Sequence, residues 1–262
     1  MPFDEFNKEI IQALLRPRVF GSTIMFFDTI ESTMDEARSL AKNGCEEGVL
    51  VVANQQTSGR GRFERVWISP PDVNLYMSIV LRPKAEHLHQ MAMMSSLALA
   101  KIITIAVKNK RVSVKWPNDV RINNKKVAGI LIESYFGNDA QPNYSIIGVG
   151  VNVNFDTEQN PDIANLATSI LNETGGAFPR AKLLQMVLSE MENLYLDVIN
   201  DKPIIEDWLS FLDTIGNRIE IKWGESRYEG YAENVDNHGS LLLRLDDGSI
   251  KILPAGEVSL RN

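Results

Sequence analysis

The chain has 262 residues, of which 44% are hydrophobic and 23% charged, and its formal net charge is −7. This size allows one large core and a smaller second one, so one or two domains are expected. The acidic balance argues against a molecule-wide electrostatic footprint for nucleic acid, although a local basic loop stays possible. Any anion site must therefore be built locally.

Residue types restrict the location and chemistry further. Residues 1–9 lack the basic and apolar regions of a secretory signal, and the apolar stretch 91–107 contains Lys101 and is shorter than the roughly 20 residues of a membrane span. We expect a core helix there and a cytoplasmic protein. Cys45 is the single cysteine, which excludes disulfide frameworks and cysteine-ligated zinc. With three histidines in all, histidine-based triads and two-histidine metal sites are poorly supported.

The first two thirds of the chain predict a mixed α and β domain. Apolar periodicity predicts helices over residues 5–15 and 91–108, and Thr33-Met34-Asp35-Glu36 matches a capping box that opens a helix ending near Asn43-Gly44. Short β-branched or alternating runs predict strands at residues 23–28, 48–53, 74–81, 112–115, 126–135 and 144–154. A turn at Gly137-Asn138-Asp139 is expected between the last two.

The last part of the chain changes character. Helical spacing over residues 180–213, interrupted at Asp201-Lys202-Pro203, predicts two helices. Short strands are expected after them at residues 218–223, 227–235, 240–245 and 249–253, with Asp247-Gly248 as a hairpin signal. Four or five short strands suggest a small closed barrel. We therefore expect a mixed α and β domain over residues 1–214 and a barrel over residues 215–262.

The most informative motif is Ser58-Gly59-Arg60-Gly61-Arg62, with Arg65 and Trp67 close behind it. Glycines let backbone N–H groups approach a ligand, and arginines present forked donors that suit carboxylate or phosphate. The motif is therefore typical of a loop that closes over an anion. A solvated basic loop is the alternative, and the string alone does not separate the two. The spacing is not that of a Walker phosphate loop.

A second motif, Lys115-Trp116-Pro117-Asn118-Asp119, places a lysine at the end of an apolar strand. A cation there can point into a cleft and pair with a carboxylate and a phosphate together. Adenylation needs such a cation, because a carboxylate must approach the α-phosphorus of ATP against charge repulsion. In the alternative reading, Lys115 is a surface residue beside a core tryptophan.

Two further features are weak by themselves. Glycines alternate along residues 148–154, which leaves part of one strand face bare for a flat ligand. Close packing of that strand against a neighbouring element is the favoured alternative for this motif in isolation. Ser32 and Thr33, taken alone, are explained by helix capping.

Together and in this order, the motifs resemble the biotin–protein ligases, in the short form of a biotin–[acetyl-CoA-carboxylase] ligase without an N-terminal DNA-binding domain. The matching segments lie between residues 23 and 260: Glu31-Ser32-Thr33, residues 56–62 with Trp67, and residues 115–119, 126–133 and 148–154. The resemblance implies an α+β fold. Its catalytic domain would have a mixed sheet with flanking helices, as in lipoate ligases and class II synthetases, followed by a small SH3-like C-terminal barrel.

The resemblance also implies residue roles. Ser32, Thr33 and Gln56 would hold the ureido end of biotin, while Arg60 and Arg62 would cover the activated carboxylate. The full set of implied biotin-binding residues is Ser32, Thr33, Gln56, Arg60, Gly61, Arg62, Trp67, Lys115 and Gly129. The implied nucleotide-binding residues are Arg62, Trp67, Lys115, Asn118, Asp119, Lys126, Gly150 and Asn152. The implied catalytic residues are Lys115, Arg60 and Arg62, and Lys115 would contact both the biotin carboxylate and the α-phosphate.

The implied reaction is ATP-dependent adenylation of biotin to biotinyl-5′-AMP, followed by transfer to a lysine of the biotin carboxyl carrier domain of a carboxylase. Mg²⁺ is implied as the partner of ATP, without a dedicated protein site. A homodimer is implied as possible, and no membrane partner is expected. About twenty residues precede the first catalytic strand, too few for a helix-turn-helix domain, so no DNA binding is expected. Phe63-Glu64 stands where some members have a further glycine.

Two other functions remain open at this point. A lipoate or octanoyl ligase or transferase would share the fold and the acyl transfer to lysine, although the complete arginine loop, the lysine motif and the barrel favour biotin. A non-enzymatic nucleic-acid-binding module is the alternative from another class, since small barrels and basic loops bind RNA or DNA. The net charge of −7 counts against it.

Overall fold

The structure is a computed structural model that describes residues 4–136 and 142–260. The helices are α1 Lys8–Leu14, α2 Thr33–Lys42, α3 Gln90–Val107, α4 Ile170–Thr174, α5 Arg180–Ile199 and α6 Ile205–Leu209. The strands are β1 Ile24–Ile30, β2 Leu50–Gln56, β3 Leu75–Leu81, β4 Val112–Lys115, β5 Asp119–Ile122, β6 Lys125–Phe136, β7 Pro142–Val151, β8 Arg218–Trp223, β9 Ser226–Val235, β10 Leu241–Arg244, β11 Ile250–Leu253 and β12 Glu257–Leu260. The turn predicted at Gly137-Asn138-Asp139 lies outside the described residues.

The first seven strands form one mixed sheet, in the order β1-β2-β3-β7-β6-β5-β4. Strands β1 and β2 pair in parallel, and every other neighbouring pair is antiparallel. Side chains alternate between the two faces of a strand, so β2 sends Val51 towards α2 and Val52 towards the larger core that contains α3 and α5. Both faces are covered, which explains why every residue of β3 is buried.

Helix α3 is the core helix that the sequence predicts. Within the described residues it is the one helix long and apolar enough to span a membrane by length and composition, and 67% of the tested segment is buried in the fold. Its polar exception, Lys101, lies 3.3 Å from Glu190 and 3.2 Å from Asp207. The apolar stretch is therefore satisfied by packing within the protein.

Strands β8 to β12 form a separate antiparallel sheet in the order β11-β10-β9-β8-β12. Ile219, Ile221, Leu241 and Leu243 are fully buried in its interior, which is what period-two alternation along short strands predicts. The mixed sheet with helices on both faces, followed by this small β unit, confirms the predicted α+β class and the SH3-like C-terminal unit.

The segment between the two sheets is bonded to strand β4. The Val114 N–H donates to the carbonyl of Phe211 (2.7 Å), and the Asp213 N–H donates to the carbonyl of Val114 (3.1 Å). The Trp116 N–H donates to Thr214 Oγ1 at 2.9 Å. The chain thus extends the edge of the mixed sheet just before it enters the second one. The predicted boundary after residue 214 falls at the end of this segment and stays a prediction.

Candidate active site

A cavity of about 600 Å³ lies where the N-terminus of α2, the turn between β4 and β5, and strands β6 and β7 meet. Residues 57–66, called the arginine loop below, cover part of it. This volume is typical of a small-ligand site. Every residue that the sequence predicts for biotin, nucleotide or catalysis lines the cavity. Motifs up to 120 residues apart in the chain are therefore assembled in one place, while their individual roles stay predictions.

Ser32 occupies the N-cap position of α2, but its hydroxyl does not cap the helix. The Thr33 N–H instead donates to Gln56 Oε1 (2.9 Å), and Thr33 Oγ1 lies 3.1 Å from the same oxygen. The capping box predicted to begin at Thr33 is therefore wrong, and so is the capping explanation of the Ser32 hydroxyl, because strand β2 supplies the cap. Ser32 Oγ is buried without a hydrogen-bond partner in the described structure. A buried hydroxyl left in this state is costly, and a polar ligand in the cavity would satisfy it.

Trp67 follows the arginine loop and lies across the glycines of strands β6 and β7. A Cβ atom on Gly150 would lie 2.5 Å from the indole Cε2, and one on Gly129 would lie 3.2 Å from the indole Cζ3. The favoured alternative for the alternating glycines, close packing, is therefore correct in this structure. The indole Nε1 is buried without a partner in the part of the chain described, which provides a second unsatisfied donor at the cavity.

Lys115 is the last residue of β4 and a wall of the cavity. Burial lowers the pKa of its ammonium group, and the charge of Asp119 offsets this only in part. Asp119 is itself engaged, because Lys126 Nζ lies 2.7 Å from its Oδ1. Among the described residues, Lys115 Nζ has no hydrogen bond or ion pair of its own. A desolvated cation in a cavity is poised to bind an anion.

The two arginines of the loop point to different partners. Arg62 donates to Asn118 Oδ1 (2.7 Å) and to the carbonyl oxygen of Gly256 (3.1 Å), and burial lowers its pKa. Arg60 donates to Asp35 Oδ1 at 2.7 Å and lies 3.6 Å from Glu133 Oε1. Arg62 is therefore the loop arginine held towards Asn118 and the second sheet, whereas the Arg60 guanidinium is held by carboxylates.

Other predicted residues also support the scaffold. Asn118 Nδ2 donates to the Ile130 carbonyl at 2.6 Å, and Asn152 Nδ2 donates to the Thr168 carbonyl at 3.1 Å. Lys126 Nζ lies 5.3 Å from the centre of the Trp67 ring, within range of a cation–π interaction. These bonds fix the side of the cavity that is predicted to hold the nucleotide.

Sequence reasoning missed the contribution of the C-terminal sheet. Gly256, Glu257 and Val258 line the cavity, and Arg65 of the loop forms an ion pair with Glu257. The residues 256–258 lie at the start of β12, a strand that the sequence did not predict. No motif marks them, since glycine and glutamate beside a short strand are common on any surface.

The described residues contain no group of three or more His, Cys, Asp or Glu side chains placed to hold a metal ion. Asp119 is the carboxylate on the predicted nucleotide side, and it is paired with Lys126. An Mg²⁺ ion that arrives coordinated by ATP phosphates and water fits these residues better than one bound in a protein cage.

Known proteins match this arrangement. Residues 26–152 match the biotin/lipoate A/B protein ligase family, and residues 214–261 match the biotin protein ligase C-terminal domain. The bifunctional ligase/repressor BirA of Bacillus spizizenii is 35% identical over 246 residues, which cover 92% of this chain and 75% of that protein. The biotin–[acetyl-CoA-carboxylase] ligase of Paracoccus denitrificans is 33% identical over 237 residues, covering 87% and 96% of the two chains.

The chain belongs to the biotin–protein ligase family.

Solved structures of other members of the biotin–protein ligase family agree with this assignment. The ligase of Aquifex aeolicus in complex with biotin and ATP superposes with a TM-score of 0.77 at 27% identity, covering 92% of this chain and 99% of that one. The Leishmania major ligase in complex with biotinyl-5-AMP gives a TM-score of 0.61 at 27% identity, with 89% and 99% covered. The predicted resemblance is thereby confirmed.

Proposed function

We propose that the chain is a biotin–protein ligase that adenylates biotin with ATP and transfers the biotinyl group to a lysine of a carboxylase carrier protein. One observation carries the proposal. A desolvated cation, Lys115, and two buried unsatisfied polar atoms, Ser32 Oγ and Trp67 Nε1, belong to the wall of one cavity of about 600 Å³. The solved Aquifex aeolicus relative holds biotin and ATP, which are ligands with the carboxylate, phosphates and polar head that this wall requires.

In the first step, an oxygen of the biotin carboxylate attacks the α-phosphorus of ATP. A new carboxylate–phosphorus bond forms, the bond to the β-phosphate breaks, and pyrophosphate leaves with the electron pair. Lys115 offsets the repulsion between the two anions and stabilises the charge on the equatorial oxygens in the transition state. Arg62, held by Asn118 and Gly256, is placed to add a second, forked donor.

In the second step, the neutral amine of the acceptor lysine attacks the carbonyl carbon of biotinyl-5′-AMP. The amide bond forms, the carbonyl–phosphate bond breaks, and AMP leaves while the nitrogen loses a proton. The two cationic side chains, Lys115 and Arg62, stabilise the phosphate of the leaving AMP. No covalent bond to the enzyme is required at either step.

Mg²⁺ would enter on the phosphates of ATP, where it neutralises charge and makes pyrophosphate a better leaving group. Asp119 and its partner Lys126, 2.7 Å apart, lie on the wall expected to face these phosphates. We assign no dedicated protein ligand to the ion.

For the partners, we propose the biotin carboxyl carrier domain of a carboxylase as the acceptor, since relatives from Paracoccus denitrificans and Mycobacterium tuberculosis are named biotin–[acetyl-CoA-carboxylase] ligases. We further propose a cytoplasmic protein with no DNA or membrane partner, able to form a homodimer. The net charge of −7 argues against a DNA partner, and the single cysteine fits a cytoplasmic location. The burial of α3 argues against a membrane partner. The homodimer rests on the family resemblance.

Exchange of labelled pyrophosphate into ATP tests the proposal, because it reports the first step alone. We expect exchange that depends on biotin and is absent with lipoate. Exchange with lipoate but not with biotin would assign the chain to the lipoate side of the family. Exchange with neither acid would refute adenylation and favour a binding module. Transfer is then followed with a biotin carboxyl carrier domain as acceptor and the same domain lacking its target lysine as control.

A further inference from the structure

A network of charges lies on the flank of the arginine loop, away from Lys115. Arg60 Nη2 lies 2.7 Å from Asp35 Oδ1, and Arg60 Nη1 lies 3.6 Å from Glu133 Oε1. Asp35 is in the first turn of α2 and Glu133 is on β6. Two carboxylates from two regular elements thus converge on one arginine of an irregular loop.

The carboxylates are themselves held in place. Arg38 donates to Asp35 Oδ1 at 2.7 Å and to Glu133 Oε2 at 2.5 Å, and the Tyr135 hydroxyl donates to Glu133 Oε2 at 2.7 Å. Burial alone would raise the pKa of Glu133, but the hydrogen bonds from Arg38 and Tyr135 hold that pKa below its usual value. Glu133 therefore stays ionised, and bonds that do not involve Arg60 fix its position.

The loop is held by side chains at two places. Arg62 and Arg65 bind Asn118, Gly256 and Glu257, whereas Arg60 is the loop side chain that binds Asp35 and Glu133. The ends of the loop are bonded, with the Trp67 N–H donating to the Gly59 carbonyl (2.9 Å) and the Gly61 N–H donating to the Arg65 carbonyl (2.7 Å). Between them, Phe63 has a left-handed φ of 56° and is 57% exposed. A second cavity lies on the Asp35 and Glu133 side, so the loop is a partition with space on both sides.

We propose that Asp35 and Glu133 are positioning residues that hold the arginine loop over the substrate cavity through Arg60, and so slow the escape of the adenylate formed there. The proposal rests on the proposed ligase activity for its consequence, but the anchoring itself does not. Arg60 is then a structural link of the closed loop, and Arg62 is the loop arginine that works at the reacting centre.

Two measurements test the anchor, and the first needs no activity. Chymotrypsin cleaves after Phe63, a site that none of the substitutions alters, so the cleavage rate of the ligand-free protein reports how often the loop opens. We expect Asp35→Asn and Glu133→Gln to raise this rate about two- to fivefold, as suits half-exposed ion pairs. Asp35→Glu should restore most of the wild-type rate. The control is Asp246→Asn, which removes an exposed ion pair with Arg218 (2.8 Å) on the second sheet.

The second measurement is the release rate of biotinyl-5′-AMP from pre-loaded protein. Asp35→Asn should speed release by a similar factor at an unchanged melting temperature, and it should have no further effect in an Arg60→Gln background. Wild-type cleavage rates in both carboxylate variants, or an equal effect of Asp35→Asn with and without Arg60, would overturn the proposal. If the wild type forms no adenylate from biotin, the proposed function fails, while the cleavage result still decides the anchor.

Discussion

Arg62 and Gly256 join the arginine loop to the C-terminal sheet, with the Arg62 guanidinium 3.1 Å from the Gly256 carbonyl oxygen across 194 residues of sequence. A Cβ atom on Gly256 would lie 2.5 Å from Ile221 Cδ1 and 3.2 Å from the Lys222 carbonyl oxygen. A side chain there must displace either the fully buried Ile221 or the backbone that carries this acceptor.

Gly256→Val should therefore weaken the hold on Arg62 and reduce kcat/KM for biotin-dependent exchange by about tenfold to a hundredfold, since a hydrogen bond to a charged group contributes roughly 1.5–3 kcal/mol. The matched control is Gly176→Val, because a Cβ at Gly176 meets nothing within 4 Å. Equal exchange by Gly256→Val and the wild type would show that the second sheet does not support the loop.

Lys115→Ala should lower exchange by at least about a hundredfold, because one preorganised charge at a reacting centre is typically worth that much. Lys115 is half-buried at a strand end and has no ion pair among the described residues, so circular dichroism and the melting temperature should change little. Lys182→Ala, on the surface of α5, is the control. An active Lys115→Ala enzyme would remove Lys115 from the mechanism.

The pH dependence of exchange provides a separate test of the Lys115 environment. Burial lowers the pKa of Lys115 from its ordinary 10.5 in the free protein, and the mechanism uses the charged form. Activity measured as kcat/KM should therefore fall as the pH rises through a value below 10.5. Bound anions should shift the corresponding falling limb of the kcat–pH profile to higher pH. Lys115→Arg should lose this limb while keeping some activity, since arginine stays protonated. A limb unchanged in that variant would assign the titration to another group.

Ser32→Ala should separate binding from stability. Ser32 is 1% exposed, and its hydroxyl is buried without a partner in the described structure, so removal of the hydroxyl should leave the melting temperature unchanged or raised. The KM for biotin should rise about threefold to tenfold, the value of one neutral hydrogen bond. Ser95→Ala is the control, because the Ser95 hydroxyl donates to the Met91 carbonyl within α3 at 2.7 Å. An unchanged KM in Ser32→Ala would mean that this hydroxyl does not meet biotin.

His89 should make stability depend on pH. His89 Nε2 lies 3.1 Å from His238 Nδ1. Burial lowers the pKa of His89 below 6.5; His238 and His87 lower it further, and Asp236 offsets part of the decrease. The unfolded chain then binds its proton first as the pH falls, so the free energy of unfolding should decline below about pH 6.5 and be level above it. Urea unfolding at pH 7.5 and 5.5 measures this. His89→Gln should show a smaller decline, and an equal decline would assign the effect elsewhere.

Regular structure followed from the sequence wherever local pattern and burial agree. The limits of α3, β3, β4 and β8 were predicted to within a residue, since each is a largely apolar segment or a clear alternation. Strand β5 was missed because it has four residues, two of them charged, and exists through its pairing between β4 and β6. Strand β12 was missed for the same reason, as its partner is β8.

The candidate site divides in the same way. Every residue that the sequence predicts for the site lines the cavity. Glycines, a strand-end lysine and paired arginines stand out in a sequence because they are unusual in combination. The partners Asp35 and Glu133 were not identified, since an acidic first turn and a charged strand residue are typical of solvated faces. Gln56 as the cap of α2 also depends on tertiary packing, which no local pattern contains.

The bonds between strand β4 and residues 211–214 have a consequence for how substrates enter. A hinge within residues 211–214 would break main-chain hydrogen bonds to Val114 and pull on the strand that ends at Lys115. Such a motion would displace the predicted catalytic lysine each time the site opened. The geometry therefore favours a fixed connection up to residue 214, with admission and release of ligands left to the arginine loop.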